Sequence, residues 1–405
     1  MAANTTEKYI SLEELNNVVA ASRVASTVIL CILLVMGVTG NSVVLAVYGL
    51  IIRKSEERFF IPFLAFFDLC AVLAGAIFAI MQNMYRVAFP SLTLCKLSFF
   101  FTFVTTTISA CLLLVVAINR YLKICRPQWT QMNPKKKKLS LLIVIVFAVS
   151  LSSPLFYFLD DYQHKLTYKS YEILIRTCEL SPTTSMLSVN RRHKLAYYGV
   201  LFSLIVLNLV MTVFLYIPIG KEIFIRFRSV RKLRIQSNQI IENLENREEQ
   251  NETSGNIPAD DSSTESDYEN SNQQNDCKVD LEFGDKSAED NKEKVKASVV
   301  LALSNTSTTR RKNKRRRRVR NNFTIMFMTI VVFYVLSYIP TFVLMLTPGR
   351  LENWISLPEG QMNLLLVLRR FFLLNHVVNP FIYGYFDLTF RHKFKDCFKC
   401  LQKKL

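Results

Sequence analysis

Histidine and tryptophan are scarce in this chain of 405 residues, with four of the first and two of the second. His164, His193, His376 and His392 are scattered, without metal-ligand spacing and without a serine or cysteine partner motif, so neither a metal centre nor a nucleophilic catalytic set is legible. The first 23 residues lack the apolar core of a cleavable signal peptide. Charge is absent over long stretches. Val24 to Ile52, Leu97 to Ile118, Leu139 to Leu159, Leu195 to Gly220 and Asn321 to Gly349 contain no Asp, Glu, Lys or Arg.

Phe59 to Tyr85 carries only Asp68, and Gln361 to Phe386 carries only Arg369 and Arg370. A bilayer core of about 30 Å needs roughly 20 mostly apolar helical residues, so all seven stretches qualify as spans. The chain reads as an all-α bundle of seven transmembrane helices with a short amphipathic eighth helix. Its parts are an extracellular tail (1–23), spans 1 to 5 (24–220), a long cytosolic loop (221–320), spans 6 and 7 (321–386) and a cytosolic helix and tail (387–405).

Basic residues collect in the connections after spans 1, 3 and 5 and after span 7, at Arg53, Lys54 and Arg58, at Lys135 to Lys138, at Arg310 to Arg320, and at Arg391, Lys393 and Lys395. Positive charge marks the inside. The amino terminus is therefore expected outside and the carboxyl terminus in the cytosol, at the plasma membrane. The net charge of +18 is a topology signal, with anionic membrane lipid rather than nucleic acid as the partner of the tract beside span 6. Within the long loop, Glu242 to Glu293 holds 17 acidic and 4 basic residues and few apolar ones. Such a composition cannot offset chain entropy, so disorder is expected there. Ser262, Ser263, Thr264 and Ser266 beside acidic residues are candidate phosphorylation sites. The sequon at Asn4 is expected to be glycosylated.

Four short motifs carry a resemblance. Gly40, Asn41 and Val44 stand in span 1; Leu64, Ala65 and Asp68 in span 2; Asn119, Arg120 and Tyr121 close span 3; Asn379, Pro380, Phe381, Ile382 and Tyr383 close span 7. Together, in this order, they resemble the rhodopsin-like (class A) G-protein-coupled receptors. The resemblance implies an extracellular ligand, a heterotrimeric G protein, and arrestin and receptor kinases as further partners, with no covalent chemistry and no cofactor. It implies a sodium ion as allosteric ligand, held by Asp68 as the metal-binding carboxylate with Ser109, Asn375 and Asn379. Outward movement of span 6 would open the G-protein cleft, with Arg120, Tyr216 and Tyr383 rearranging and Pro340 and Pro380 permitting kinks.

Cys95 lies 25 residues before Arg120, about 38 Å at 1.5 Å per residue, which puts it at the outer end of span 3. Cys178 is the other cysteine expected outside, so the two can pair there. Cys397 and Cys400, just past Phe386, Phe390 and Phe394, are candidate palmitoylation sites.

The chain departs from the family pattern in several places. Asn119 replaces the acid before Arg120, and Arg320 stands where some members place an acid. Both changes remove a carboxylate that would hold Arg120; with compensation from elsewhere in the chain left open, only partial basal signalling is expected, and Asn119→Asp is expected to lower it. Tyr334 and Tyr338 replace aromatic residues of span 6, Asn208 replaces a proline of span 5, and Ala110 a branched aliphatic of span 3. Thr102 stands where amine receptors carry an aspartate, which argues against an amine. Arg369, at pocket depth, either pairs with a loop acid such as Asp160, Asp161 or Glu352 or binds a ligand carboxylate. Thr106, Gln82, Phe99, Phe103, Tyr198 and Phe342 complete the expected pocket. A charged, tyrosine-bearing outer loop before span 5 suits a peptide, and the run Arg120 to Pro127 is similar to invertebrate neuropeptide receptors of the cholecystokinin and orexin kind. A peptide is therefore the expected ligand, with a lipid or other small anion as the alternative. A secondary transporter is the remote alternative, against which stands the lack of internal repeats.

Overall fold

A computed structural model describes residues 11–53, 55–159, 162–168, 171–178, 188–253, 322–344 and 357–402. The chain divides into one unit of residues 1–222 with 320–405 and a second of residues 223–319. Six helices are long and apolar enough to cross a membrane, and a bent pair supplies a seventh span.

The helices are α1 (Leu12–Ala21), α2 (Val24–Ala46, closing in a π-helical turn, Val47–Ile51), α3 (Ile61–Met84), α4 (Leu92–Ile124), α5 (Pro134–Ser152) and α6 (Leu155–Phe158). Strands β1 (Tyr162–Tyr168) and β2 (Tyr171–Thr177) follow, then α7 (Ser188–Thr253), α8 (Asn322–Leu344), α9 (Glu359–Arg369), α10 (Leu373–Phe386) and α11 (Leu388–Gln402). The outward faces of α2 and α5 carry exposed apolar stripes at helical spacing, Val24, Val28, Ile32 and Val35 on one, and Leu139, Leu142, Val146 and Val149 on the other. Such stripes suit hydrocarbon rather than water.

The glycines of span 1 explain its tight seat. A Cβ on Gly37 would meet Val72 Cγ1 at 2.7 Å and Val377 Cγ2 at 3.2 Å, and one on Gly40 would meet Pro380 Cγ at 3.0 Å. Their absence lets α2 lie against α3 and α10. Asn41, one turn beyond Gly37, donates from Nδ2 to the His376 carbonyl at 2.9 Å.

Four features differ from the sequence reading. The polar tail contains a helix: Ser11 caps α1 by accepting the Glu14 N–H at 3.1 Å, and Leu15 and Val19 bury against Val87 and Ile175. The loop before span 5 is a hairpin in the register Tyr162↔Thr177 to Tyr168↔Tyr171, tied to the chain after α3 by Arg176 N–H to Val87 carbonyl at 2.8 Å. The bend in span 7 lies at Arg370 to Phe372, where backbone bonds switch to the i−3 carbonyl and α9 and α10 meet at 65°. Pro380 instead sits inside the continuous α10. Finally, α7 runs to Thr253, into the acidic stretch expected to be disordered. Glu, Gln and Leu there are good helix formers, and extending an existing helix avoids the nucleation cost. The rest of that stretch lies outside the described residues.

Candidate functional site

Three levels stack along the bundle. At the outer end, a cavity of about 380 Å³ opens between α3, α4, α7, α8 and the α9–α10 bend. Gln82, Phe99, Thr102, Phe103, Thr106, Phe342 and Arg369 line it. Tyr198, also expected in the wall, packs instead against the cluster of Phe78, Phe99 and Leu155, with its ring 5.7 Å from that of Tyr197. Cys95 and Cys178 form a disulfide with a Cα–Cα distance of 5.8 Å. The Cys178 carbonyl accepts a hydrogen bond from Gln82 Nε2 at 3.0 Å, which fixes the hairpin's end to the rim.

Three arginines that sequence reasoning did not assign also line this cavity: Arg23, Arg86 and Arg370. Arg370 donates from Nη2 to Gln82 Oε1 and from Nη1 to the Leu366 carbonyl, both at 3.3 Å. Burial pushes the Arg23 guanidinium down to about 10. The signal for Arg370 was its adjacency to Arg369; Arg23 read as a tail residue at the edge of span 1. Asp160, Asp161 and Glu352, the acids proposed for Arg369, lie outside the described residues, as does Asn4.

At mid-depth, Asp68 is fully buried. Its Oδ1 accepts from Ser109 Oγ at 2.6 Å and faces His376 Nδ1 at 2.7 Å, and its Oδ2 accepts from Asn379 Nδ2 at 2.6 Å. A carboxylate accepts, so the His376 proton belongs on Nδ1. Asn375 is buried but bonds through neither amide atom. The sequence thus brings Asp68, Ser109 and Asn379 together and leaves Asn375 off the carboxylate, with His376, which was read only as a stray histidine, in contact instead. Ser109 Oγ, having donated its one hydrogen, keeps its lone pairs, and Asn375 Oδ1 is buried without a partner, so these oxygens with the Asp68 carboxylate are the groups that would hold a sodium ion; no step below runs through it.

Between these levels, two departures from the family pattern meet. The Tyr334 hydroxyl donates to Asn208 Oδ1 at 3.0 Å, joining α8 to α7, and the Tyr334 ring stands edge-on to Tyr338 at 4.9 Å. Pro340 lies two residues beyond Tyr338, within α8.

At the inner end, Arg120 is 2 % exposed. In place of the acids missing at Asn119 and Arg320, it meets Glu57, in the turn between α2 and α3. Arg120 Nη1 pairs with Glu57 Oε2, Nη2 donates to the Glu57 carbonyl at 2.8 Å, and Lys123 Nζ lies 3.2 Å from Glu57 Oε1. Phe327 of α8 stacks under the guanidinium at 4.9 Å. Burial would raise the Glu57 carboxyl, but the charges of Arg120 and Lys123 hold it below the ordinary value. Asn119 is buried with Oδ1 unbonded, and Arg320 lies outside the described residues. Tyr121 is half-buried beside them. The hydroxyls of Tyr216 and Tyr383 are both buried without a hydrogen-bond partner among the described residues.

Below this, Asp387 joins α10 to α11. It accepts from Tyr48 at 2.9 Å, from Arg58 Nε at 2.9 Å and from the Thr389 N–H at 2.9 Å. Burial raises this carboxyl, and the Arg58 and Tyr48 bonds bring it below its usual range. Cys397 and Cys400 fall on α11.

The sequence matches the family described as 7 transmembrane receptor (rhodopsin family) over residues 40–383. Among solved structures it is similar to squid rhodopsin, with a TM-score of 0.54 at 16% identity, covering 95% of this chain and 87% of that one. No curated protein sequence matches it. The chain belongs to the rhodopsin family of seven-transmembrane receptors, a family of receptors rather than enzymes. It is a multi-pass membrane protein that takes an extracellular ligand and signals through G proteins.

Proposed function

We propose that this receptor responds to a peptide at the plasma membrane, with its amino terminus outside. The observation that carries the reading is the outer architecture: a folded tail helix packs on a β-hairpin whose end is bonded to Gln82, in the wall of a cavity that mixes aromatic rings, threonines and arginines. Such a rim offers a peptide backbone and side chains several anchoring surfaces, and a cavity of this size suits a few side chains rather than a whole chain. The run after Arg120 resembles invertebrate neuropeptide receptors of the cholecystokinin and orexin kind, which supports the peptide reading.

In the resting conformer Glu57 holds Arg120, and Tyr334 ties α8 to α7. A ligand that favours the other conformer draws the outer ends of α8 and α9 inward and lets the inner end of α8 swing out. Arg120 then leaves Glu57 for the cleft, where Tyr216 and Tyr383, whose hydroxyls are unsatisfied at rest, supply new partners. Only differential affinity for the two conformers drives this change. Arrestin, receptor kinases, palmitoylation at Cys397 and Cys400 and a glycan at Asn4 belong to the same proposal.

A neuropeptide library tested on cells expressing the chain, with G-protein nucleotide exchange as readout, decides the ligand class. A peptide hit whose potency falls when Phe342 or Thr102 is replaced is expected. Response to lipids alone would overturn the peptide reading and leave the receptor class standing.

A further inference from the structure

Four arginines from three separate places in the chain, Arg23, Arg86 and the neighbours Arg369 and Arg370, line the outer cavity, and no aspartate or glutamate does so among the described residues. Arg23 is 2 % and Arg370 is 9 % exposed. Arg370 is bonded only to neutral oxygens, those of Leu366 and Gln82, and Arg23 Nε has no hydrogen-bond partner. Burial, followed by the charges of Arg23, Arg369 and Arg370, drives the Arg86 guanidinium well below its ordinary value, so the four charges feel one another. Of the four, Arg23 and Arg370 are withdrawn from water, and two buried like charges set on one cavity are costly to the unliganded protein. A planar guanidinium offers paired donors that match a carboxylate.

We infer that the outer end of the cavity is a site for a ligand segment carrying at least two negative charges, one answering Arg23 and one answering Arg370, as the carboxylates of an acidic peptide would. This rests on the reading of that cavity as the ligand site. It also gives the cluster a role in activation. Arg23 precedes α2, Arg86 follows α3, and Arg369 and Arg370 stand at the α9–α10 bend. An acidic segment between them pulls the outer ends of spans 1, 2 and 7 together.

The test uses the purified full chain in nanodiscs and follows its thermal unfolding at constant ionic strength with triglutamate, triglutamine amide or inorganic pyrophosphate. Triglutamate is expected to raise the unfolding temperature and triglutamine amide to leave it unchanged. Arg23→Gln and Arg370→Gln, made separately, are expected to weaken the triglutamate effect about tenfold or more in midpoint concentration. Each variant without anion should unfold at the same or a higher temperature, since a repelling charge has gone. A merely structural arginine would lower it. No difference between triglutamate and its amide, or a difference that survives both substitutions, overturns the proposal. A response to pyrophosphate alone overturns the carboxylate assignment. Nucleotide exchange promoted by the receptor carrying Glu57→Gln does not use the cavity, so it reports separately on whether the chain couples to a G protein.

Discussion

An arginine as buried as Arg120 needs a counter-charge, and Glu57 provides both a carboxylate and a carbonyl to the same guanidinium. Two charge-assisted bonds are worth roughly 1.5 to 3 kcal/mol each when buried, less at Glu57, which is a quarter exposed. Glu57→Gln is therefore expected to raise ligand-free nucleotide exchange by about threefold to tenfold at equal surface expression. Asn119→Asp, by contrast, adds an acid to an arginine that already has one, so it should move basal exchange much less. The opposite ranking would show that the Glu57 pair does not set the resting state. The pH dependence follows from the sign of the shift. Because the Glu57 carboxyl lies below its ordinary value, the pair is complete above the ordinary glutamate range and is lost only as pH falls through the lowered value. Basal exchange limited by this pair should stay flat from pH 8 to about pH 5, readable in a nucleotide-exchange titration.

At the scale of elements, the spans were legible because their length and lack of charge leave a soluble fold no reasonable alternative. The α9–α10 bend was not legible, since neither glycine nor proline marks Arg370 to Phe372. The tail helix carried a readable signal in Leu12, Leu15 and Val19 at helical spacing, but its stability comes from Val87 and Ile175, far along the chain. Of the site, Asp68, Ser109 and Asn379 were recoverable from motif positions. Glu57, Arg23 and Arg86 were not, because their roles depend on contacts that no local pattern encodes.

The same scale yields two tests. Gly37→Leu should cut surface expression severely, since even a Cβ there meets Val72 at 2.7 Å and the larger side chain forces α2 off α3. Cell-surface labelling reads it, and Gly49→Leu, at a glycine with open space around its Cβ, is the control expected to express normally. Asp387→Asn removes the charge that Arg58 pairs with and weakens the tether between α10 and α11. Hydrogen exchange of the α11 amides should speed up several-fold in that variant while α3 and α4 stay protected. Unchanged α11 exchange would mean that Phe390, stacked on Tyr48 at 5.2 Å, holds the helix by itself.

Across the whole molecule, the outer cavity and the Arg120 pair lie at opposite ends of one bundle, and the Asp68 cluster and the Tyr334 to Asn208 bond occupy the space between them. If the bundle has two conformers that both ends bias, linkage makes the effect reciprocal: whatever Glu57→Gln does to the conformer ratio, a ligand preferring the active conformer must sense as tighter binding. The gain in affinity can reach, and cannot exceed, the shift in the equilibrium constant. Binding of an agonist from the peptide screen, measured without G protein on wild-type and Glu57→Gln receptor, is therefore expected to tighten by up to the same factor by which basal exchange rises. Tyr334→Phe frees α8 from Asn208 and should act in the same direction. Raised basal exchange with agonist affinity unchanged would mean that the inner pair opens independently of the cavity, and the bundle would then be two local switches rather than one.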